Sequence, residues 1–263
     1  SGITSVTVHS GGSSGAGMVL GAIRIGGKKL VNSSISVPNV PTIASTVRAN
    51  PSAGFSIVNA SVAASLTGGP TIAHKLNKKP EFIIGKNREY SIYWYAYHKD
   101  LSDSHYLIPH LASAQQNSGA VWGTHNSLDS NIFRIGDGTP ASMWIPSGTH
   151  DCIFYLWTSV SGYSSFGSYT GNGSTDGVFI YTGFTPRWLL FKRYDSSSDW
   201  TIYDTARDPH NVAGNNLKPN TSGGESAQGA VVDILSNGFK FRRNSLENGG
   251  NDQYIYAAFA EHP

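Results

Sequence analysis

Short alternations of apolar and polar residues, broken every few positions by Gly, Pro, Asn or Asp, run along almost the whole chain. This is the pattern of half-buried strands joined by turns, without the sustained helical period of long helices. Residues 55–58, 71–74, 81–85, 91–97, 131–135 and 151–158 read as strands in the first half, and 165–170 and 178–182 open the second. The run GNGSTDG at 171–177 favours a tight turn with positive φ. Nearer the start, 3–8 and 18–25 are strand candidates joined by GGSSGAG at 11–17. Without a closing Lys and Ser/Thr, that glycine run reads as a flexible hairpin connection, not a phosphate-binding loop. The mixed segment 106–121 allows one short helical turn near 111–116.

The pattern is written twice. KPEFIIGKNREYSIYWYAYHK (79–99) is followed 106 residues later by TPRWLLFKRYDSSSDWTIYDT (185–205). Pro80 falls on Pro186, Lys86 on Lys192, Trp94 on Trp200 and Tyr97 on Tyr203. Farther on, SNIFR at 130–134 matches SNGFK at 236–240, and CIFYLW at 152–157 matches YIYAAF at 254–259. Such a period is too long for a solenoid or a propeller blade and implies duplication of a whole domain. The expected architecture is all-β: two tandem, homologous β-sandwich domains of jelly-roll or lectin-like type, at 55–160 and 161–263. Before them come a β segment at 1–31, with too few strands to close a core, and a linker at 32–54. The alternation over 43–47 leaves room for an edge strand in that linker.

Composition narrows the class further. Thirty Gly, 13 Tyr, 11 Phe and 6 Trp against 14% charged residues exclude a disordered chain. A net charge of +2 argues against a nucleic-acid-binding face. No apolar run reaches the about 18–20 residues of a membrane-spanning helix, so no membrane insertion is expected. The single cysteine, Cys152, lies in an apolar run and reads as a buried structural thiol, suited to assembly in a reducing compartment. The opening SGITSVTV has neither an initiator Met nor a basic leader, and reads as a piece of a longer chain.

Candidate chemistry centres on the duplicated stretch. In a strand, residues three apart point to opposite faces. Trp94 with Tyr97, and Trp200 with Tyr203, are therefore each expected to place one aromatic in a core and one outside, as fold residues or as a sugar-stacking platform. Lys86 and Lys192, at a strand-to-turn transition, read as solvated or cross-strand paired, or as ligands of an acidic glycan or phosphate. Glycoside hydrolysis needs two carboxylates about 5–10 Å apart across a cleft. Asp195, Asp199, Asp204 and Asp208 fall on Glu89, Tyr93, His98 and Ser102, so only the first position is acidic in both copies and no shared pair exists. Asp195 and Asp199 make a solvated turn, or at best a loose Ca²⁺ loop. His98, His105, His110 and His125 lack zinc spacing and read as scattered surface residues. No catalytic residue, metal ligand set or cofactor is assigned. Recognition is expected in the turns that differ, 89–93 and 195–199.

Several runs resemble a repeat found in tail-fibre and virion proteins of tailed bacteriophages, especially marine and cyanobacterial ones. They are STVRANPSAGFSIV at 45–58, AHKL at 73–76 leading to Pro80, and IIGKNR at 83–88. In the second copy they are FGSYTGNG at 166–173, YTGF at 181–184 with Trp188, LSNGFK at 235–240 and AAFAE at 257–261. Residues 18–31 resemble the close of a concanavalin-like module. The resemblance implies a virion tail fibre made in the host cytoplasm, a homotrimer with other tail subunits as partners, and a role in host attachment. Three functions stay open: a non-catalytic module binding a bacterial surface glycan or protein receptor, a polysaccharide depolymerase or esterase, and a ligand-free spacer.

Overall fold

The computed structural model describes residues 23–25, 28–30, 41–66, 68–124, 128–136 and 144–262. The chain divides into two units, Ser1–Pro38 and Asn39–Pro263. In the first, β1 (Ile23–Ile25) and β2 (Lys28–Leu30) pair antiparallel with Ile23 opposite Leu30. The strand expected at 3–8 and the GGSSGAG connection lie outside the described residues, as do 32–40 of the linker.

The second unit is all-β, built from antiparallel sheets. Its longest sheet takes β3 (Ser45–Asn50), β4 (Phe55–Ala63), β6 (Phe82–Asn87), β7 (Tyr95–His98) and β11 (Thr149–Trp157) in the order β3-β4-β11-β6-β7. The alternation over 43–47 thus becomes an edge strand. Along β4 and β11 every second residue is buried, and Val58, Phe154 and Leu156 are fully closed to water. Each such side chain stabilises the fold by about 1.5–3 kcal/mol. That face packs on β5 (Thr71–Ala73) and β10 (Ile132–Arg134), paired with each other, and on Trp122 and Trp144. Gly85 is required here, because a Cβ would lie 2.6 Å from the Trp144 ring and 2.8 Å from Phe154.

After residue 160 two four-stranded sheets face each other as a β-sandwich. One runs β12 (Ser164–Thr170), β19 (Gln253–Phe259), β14 (Trp188–Arg193), β15 (Trp200–Asp204). The other runs β13 (Phe179–Tyr181), β18 (Gly238–Phe241), β17 (Ser226–Leu235), β16 (Ala213–Asn216). Phe191, Tyr203, Val231, Phe239 and Phe241 fill the space between them. The pairing order β4-β11-β6-β7 is followed again by β12-β19-β14-β15, and β5–β10 by β13–β18. Even the bridge from Ala96 to Leu107 has a counterpart from Ile202 to Leu217. β17, the longest strand, was not expected from the sequence.

A third core lies where the outer face of β6 and β7 meets the outer face of β12, β19, β14 and β15. Phe82, Ala96 and Leu107 pack there against Phe166, Leu190, Trp200, Ile255 and Ala257. Phe82 stacks on Phe166 with ring centres 5.9 Å apart. Three local expectations are corrected. Residues 111–116 form no helical turn, and Gln116 opens β9 (Gln116–Asn117), which pairs with β8 (His105–Tyr106); the short helix α1 comes later, at Gly119–Trp122, capped by the Ser118 hydroxyl. Strand β7 begins at Tyr95, so 91–94 belong to the preceding loop. The histidines are not all surface residues: His74 and His98 are almost completely buried, while His125 lies outside the described residues.

Candidate functional site

The two hairpins β6–β7 and β14–β15 close by the same device. Lys86 Nζ donates to the carbonyl of Ile92, and Lys192 Nζ donates to the carbonyl of Ser198 at 2.6 Å, each six residues ahead. Lys192 also donates to Ala112 O at 3.0 Å. Neither lysine sits in a solvated turn. Lys192 is 1% exposed, and burial lowers its pKa to about 8 against the favourable charge of Asp199. The reason is strand parity. Lys192 shares its face of β14 with Trp188 and Leu190, the face that meets the neighbouring sheet. It therefore cannot reach an acidic ligand in solution.

Above these anchors the hairpins diverge. Asn87 fixes the first turn by accepting the amides of Glu89 and Tyr90, while its own amide group holds Trp144 O. Residues 88–94 then loop out, leaving Tyr90 46%, Tyr93 51% and Trp94 37% exposed. The ring of Tyr93 lies 5.3 Å from that of His110, and Tyr90 meets His150 edge-on at 5.7 Å. Burial, reinforced by the charge of Lys86, keeps the His110 pKa below its usual value, so near neutral pH this ring is an uncharged aromatic surface. Glu89 is partly engaged, accepting the amide of Asp151 at 2.9 Å.

The second hairpin exposes no such rings. Trp200 and Tyr203 are 2% and 1% exposed, and in the first copy Tyr97 is 1% exposed. The parity argument holds, since Trp200 enters the third core and Tyr203 the sandwich core. Sheets cover both faces, however, so neither aromatic points outside. Of the four recurring aromatics only Trp94 is open, because it precedes its strand. Tyr97, Trp200 and Tyr203 are therefore fold residues and cannot stack a sugar.

The carboxylates of the second turn are held by cations. Asp195 accepts from Arg193 at 2.7 Å, and Arg193 also binds Asp252 at 2.7 Å. Asp199 accepts from Lys218 and Asn220, both at 2.8 Å, and these bonds lower its pKa. Both oxygens of Asp199 are thus already engaged within the protein. Among the described residues no group of three or more His, Cys, Asp or Glu is placed to hold a metal ion.

The two turns are linked by the segment after His110. Ser198 N donates to Ala112 O at 2.8 Å, and Gln115 N donates to Tyr194 O at 2.8 Å. One continuous rim therefore runs from Tyr90 through His110 to Asp199. The turns at 89–93 and 195–199, where the sequence places recognition, both lie on this rim, but the sequence does not single out Tyr90, Tyr93 or His110. Their signal was available as aromatics crowded into a turn. Elsewhere, a cleft of about 450 Å³ is lined by Arg187, Asp208, His210 and Glu261. Its Asp208 already accepts the amides of Gly214 and Asn215.

Residues 30–263 match a family described as a domain of unknown function (DUF7483), and the chain belongs to that family. No curated protein and no solved structure matches the chain.

Proposed function

We propose that the chain is a non-catalytic, glycan-binding and structural module of a tailed-bacteriophage fibre. Its two halves, 55–160 and 161–263, are tandem jelly-roll-like domains. The repeated strand order supports that division, and the sequence resemblance supports the virion setting, the homotrimer and a bacterial surface receptor. One observation carries the binding assignment: Tyr90, Tyr93 and Trp94 stand exposed together in a single loop. Large aromatics crowded on a surface mark an interaction site, and flat rings pack against the apolar faces of saccharides. The cation-held carboxylates of the second turn favour binding over hydrolysis.

The test is binding of the protein to a glycan array and to purified host capsule or lipopolysaccharide, with Tyr93→Ala/Trp94→Ala as the comparison. Each ring contributes about 1 kcal/mol, so the double variant should bind roughly ten- to thirtyfold more weakly. Undiminished binding by the variant would remove the platform from the site. Shortened glycan chains after incubation would replace the binding role with a depolymerase. No binding to any glycan or host cell would leave the spacer role.

A further inference from the structure

We infer that a second site lies in the 161–263 half, where a partly open cavity beneath the β14–β15 turn receives a hydroxyl-bearing group such as the vicinal diol or hydroxymethyl arm of a saccharide. The cavity measures about 70 Å³, and its lining includes Asp199, Thr201, Asn216, Glu247 and the ring of Phe191. Glu247 comes from a 3-10 turn, Leu246–Asn248, that is tied down on both sides. The Asn248 side chain donates to Asn172 Oδ1 and Ser174 O, and the Tyr254 hydroxyl donates to Leu246 O.

Among the described residues, two buried acceptors in this cavity have no hydrogen-bond partner. Glu247 is 4% exposed; its Oε1 accepts from the Tyr203 hydroxyl at 3.0 Å, and its Oε2 has no donor within hydrogen-bond distance, although the Thr201 hydroxyl is near enough to favour the charged form. Asn216 is 1% exposed; its Nδ2 donates to the same hydroxyl at 3.4 Å, and its Oδ1 is unpartnered. A buried acceptor left unfilled is destabilising, so the cavity calls for hydrogen-bond donors. Two waters would fit by volume, as would the end of a polyol.

The surrounding charge selects among donors. A small cation would be opposed by Arg193 and Lys218 in the lining and by Arg243 beside Glu247, and an anion by Glu247 and Asp199. A hydroxyl is neutral, and it both donates and accepts. It therefore gives Glu247 and Asn216 the donor each lacks, most strongly where it meets the ionised carboxylate. Phe191 offers an apolar wall for the attached carbon.

This site is on a different hairpin from the Tyr93–Trp94 platform and stands or falls separately. The experiment is a titration of ¹⁵N-labelled protein with ethylene glycol, glycerol and a set of methyl hexosides, followed by amide shifts, together with a crystal grown in the best binder. Shifts should centre on the Asn216 side-chain amide and the backbone of 246–249. They should persist in Tyr93→Ala/Trp94→Ala and weaken at least tenfold in Glu247→Gln. In the crystal, a ligand hydroxyl should sit within hydrogen-bond distance of Glu247 Oε2. Should Glu247→Gln fail to fold, the wild-type titration and crystal decide. Waters alone in the cavity at saturating ligand, a direct Glu247–Asn216 or Glu247–Arg243 bond closing it, or shifts elsewhere would overturn the inference.

Discussion

His74 gives the fold an acid-sensitive point whose size follows from two hydrogen bonds. The residue is completely buried just beyond β5. The Leu76 amide donates to Nδ1 at 3.1 Å, so Nδ1 carries the lone pair and the ring proton is on Nε2, 3.1 Å from Asp129 O. A second proton would break the Leu76 bond and place a charge beside Phe133 in the first core. Burial accordingly lowers the pKa from 6.5 to about 4, despite the support of Asp129. The unfolded chain therefore takes up this proton first. Stability is full above about pH 6.5 and is lost as the pH falls toward 4; between pH 8 and pH 5 the loss is about 2 kcal/mol. Urea unfolding, read by fluorescence of the buried Trp122 and Trp144, measures it at both pH values in the wild type and in His74→Gln. Whatever stability the variant starts from, its acid loss should be smaller by about 2 kcal/mol. Glu247, with its raised pKa, acts in the opposite direction, gaining stability as the pH falls, and cancels because both proteins carry it. Parallel pH profiles would refute the reasoning.

Other outcomes follow from single contacts. Lys192, protonated less readily when folded, should make the wild type gain on Lys192→Met as the pH rises from 7 to 9.5. The gain is about 1–2 kcal/mol after allowing for screening at the turn, and denaturant midpoints at the two pH values will show it. Gly214→Ala should cost about 2–3 kcal/mol, because a Cβ there would lie 1.7 Å from the carbonyl oxygen of Gly229. Gly229→Ala, in open space at φ +74°, should cost only about 1 kcal/mol; thermal unfolding of the two variants separates clash from backbone strain. Cys152 is fully buried with its pKa pushed up to about 12, chiefly by desolvation. A thiol reagent should therefore modify it at the rate of unfolding, and fast labelling of folded protein would contradict the packing.

The all-β class and the duplicated hairpin were legible because both rest on local signals: period-two alternation and the recurrence of Pro80, Lys86, Trp94 and Tyr97. What the sequence concealed depends on partners distant in the chain. The outward fate of one face of β15 was a reasonable expectation until Phe166 and Phe82 arrived to cover Trp200. The aliphatic stem and charged tip of Lys192 look like a surface residue; only the packing of a second sheet, and a carbonyl from residue 112, make it an interior one. Glu247 carries no local mark of burial, since Asn172 and Ser174 of the 171–177 turn and Tyr254 of β19 hold its turn inward. The candidate rim was half visible: its turns could be named, but the rings that open there could not be told from those that close.

The lysine anchors have a consequence for how such a protein can change. Each grips its loop from below through a backbone carbonyl, which any residue supplies. The outward side chains are left out of the closure, so the hairpin works as a socket into which different sequences can be grafted without shifting the strands. Exchanging residues 88–91 for 194–197 should transplant surface chemistry from one copy to the other while the frame beneath stays still.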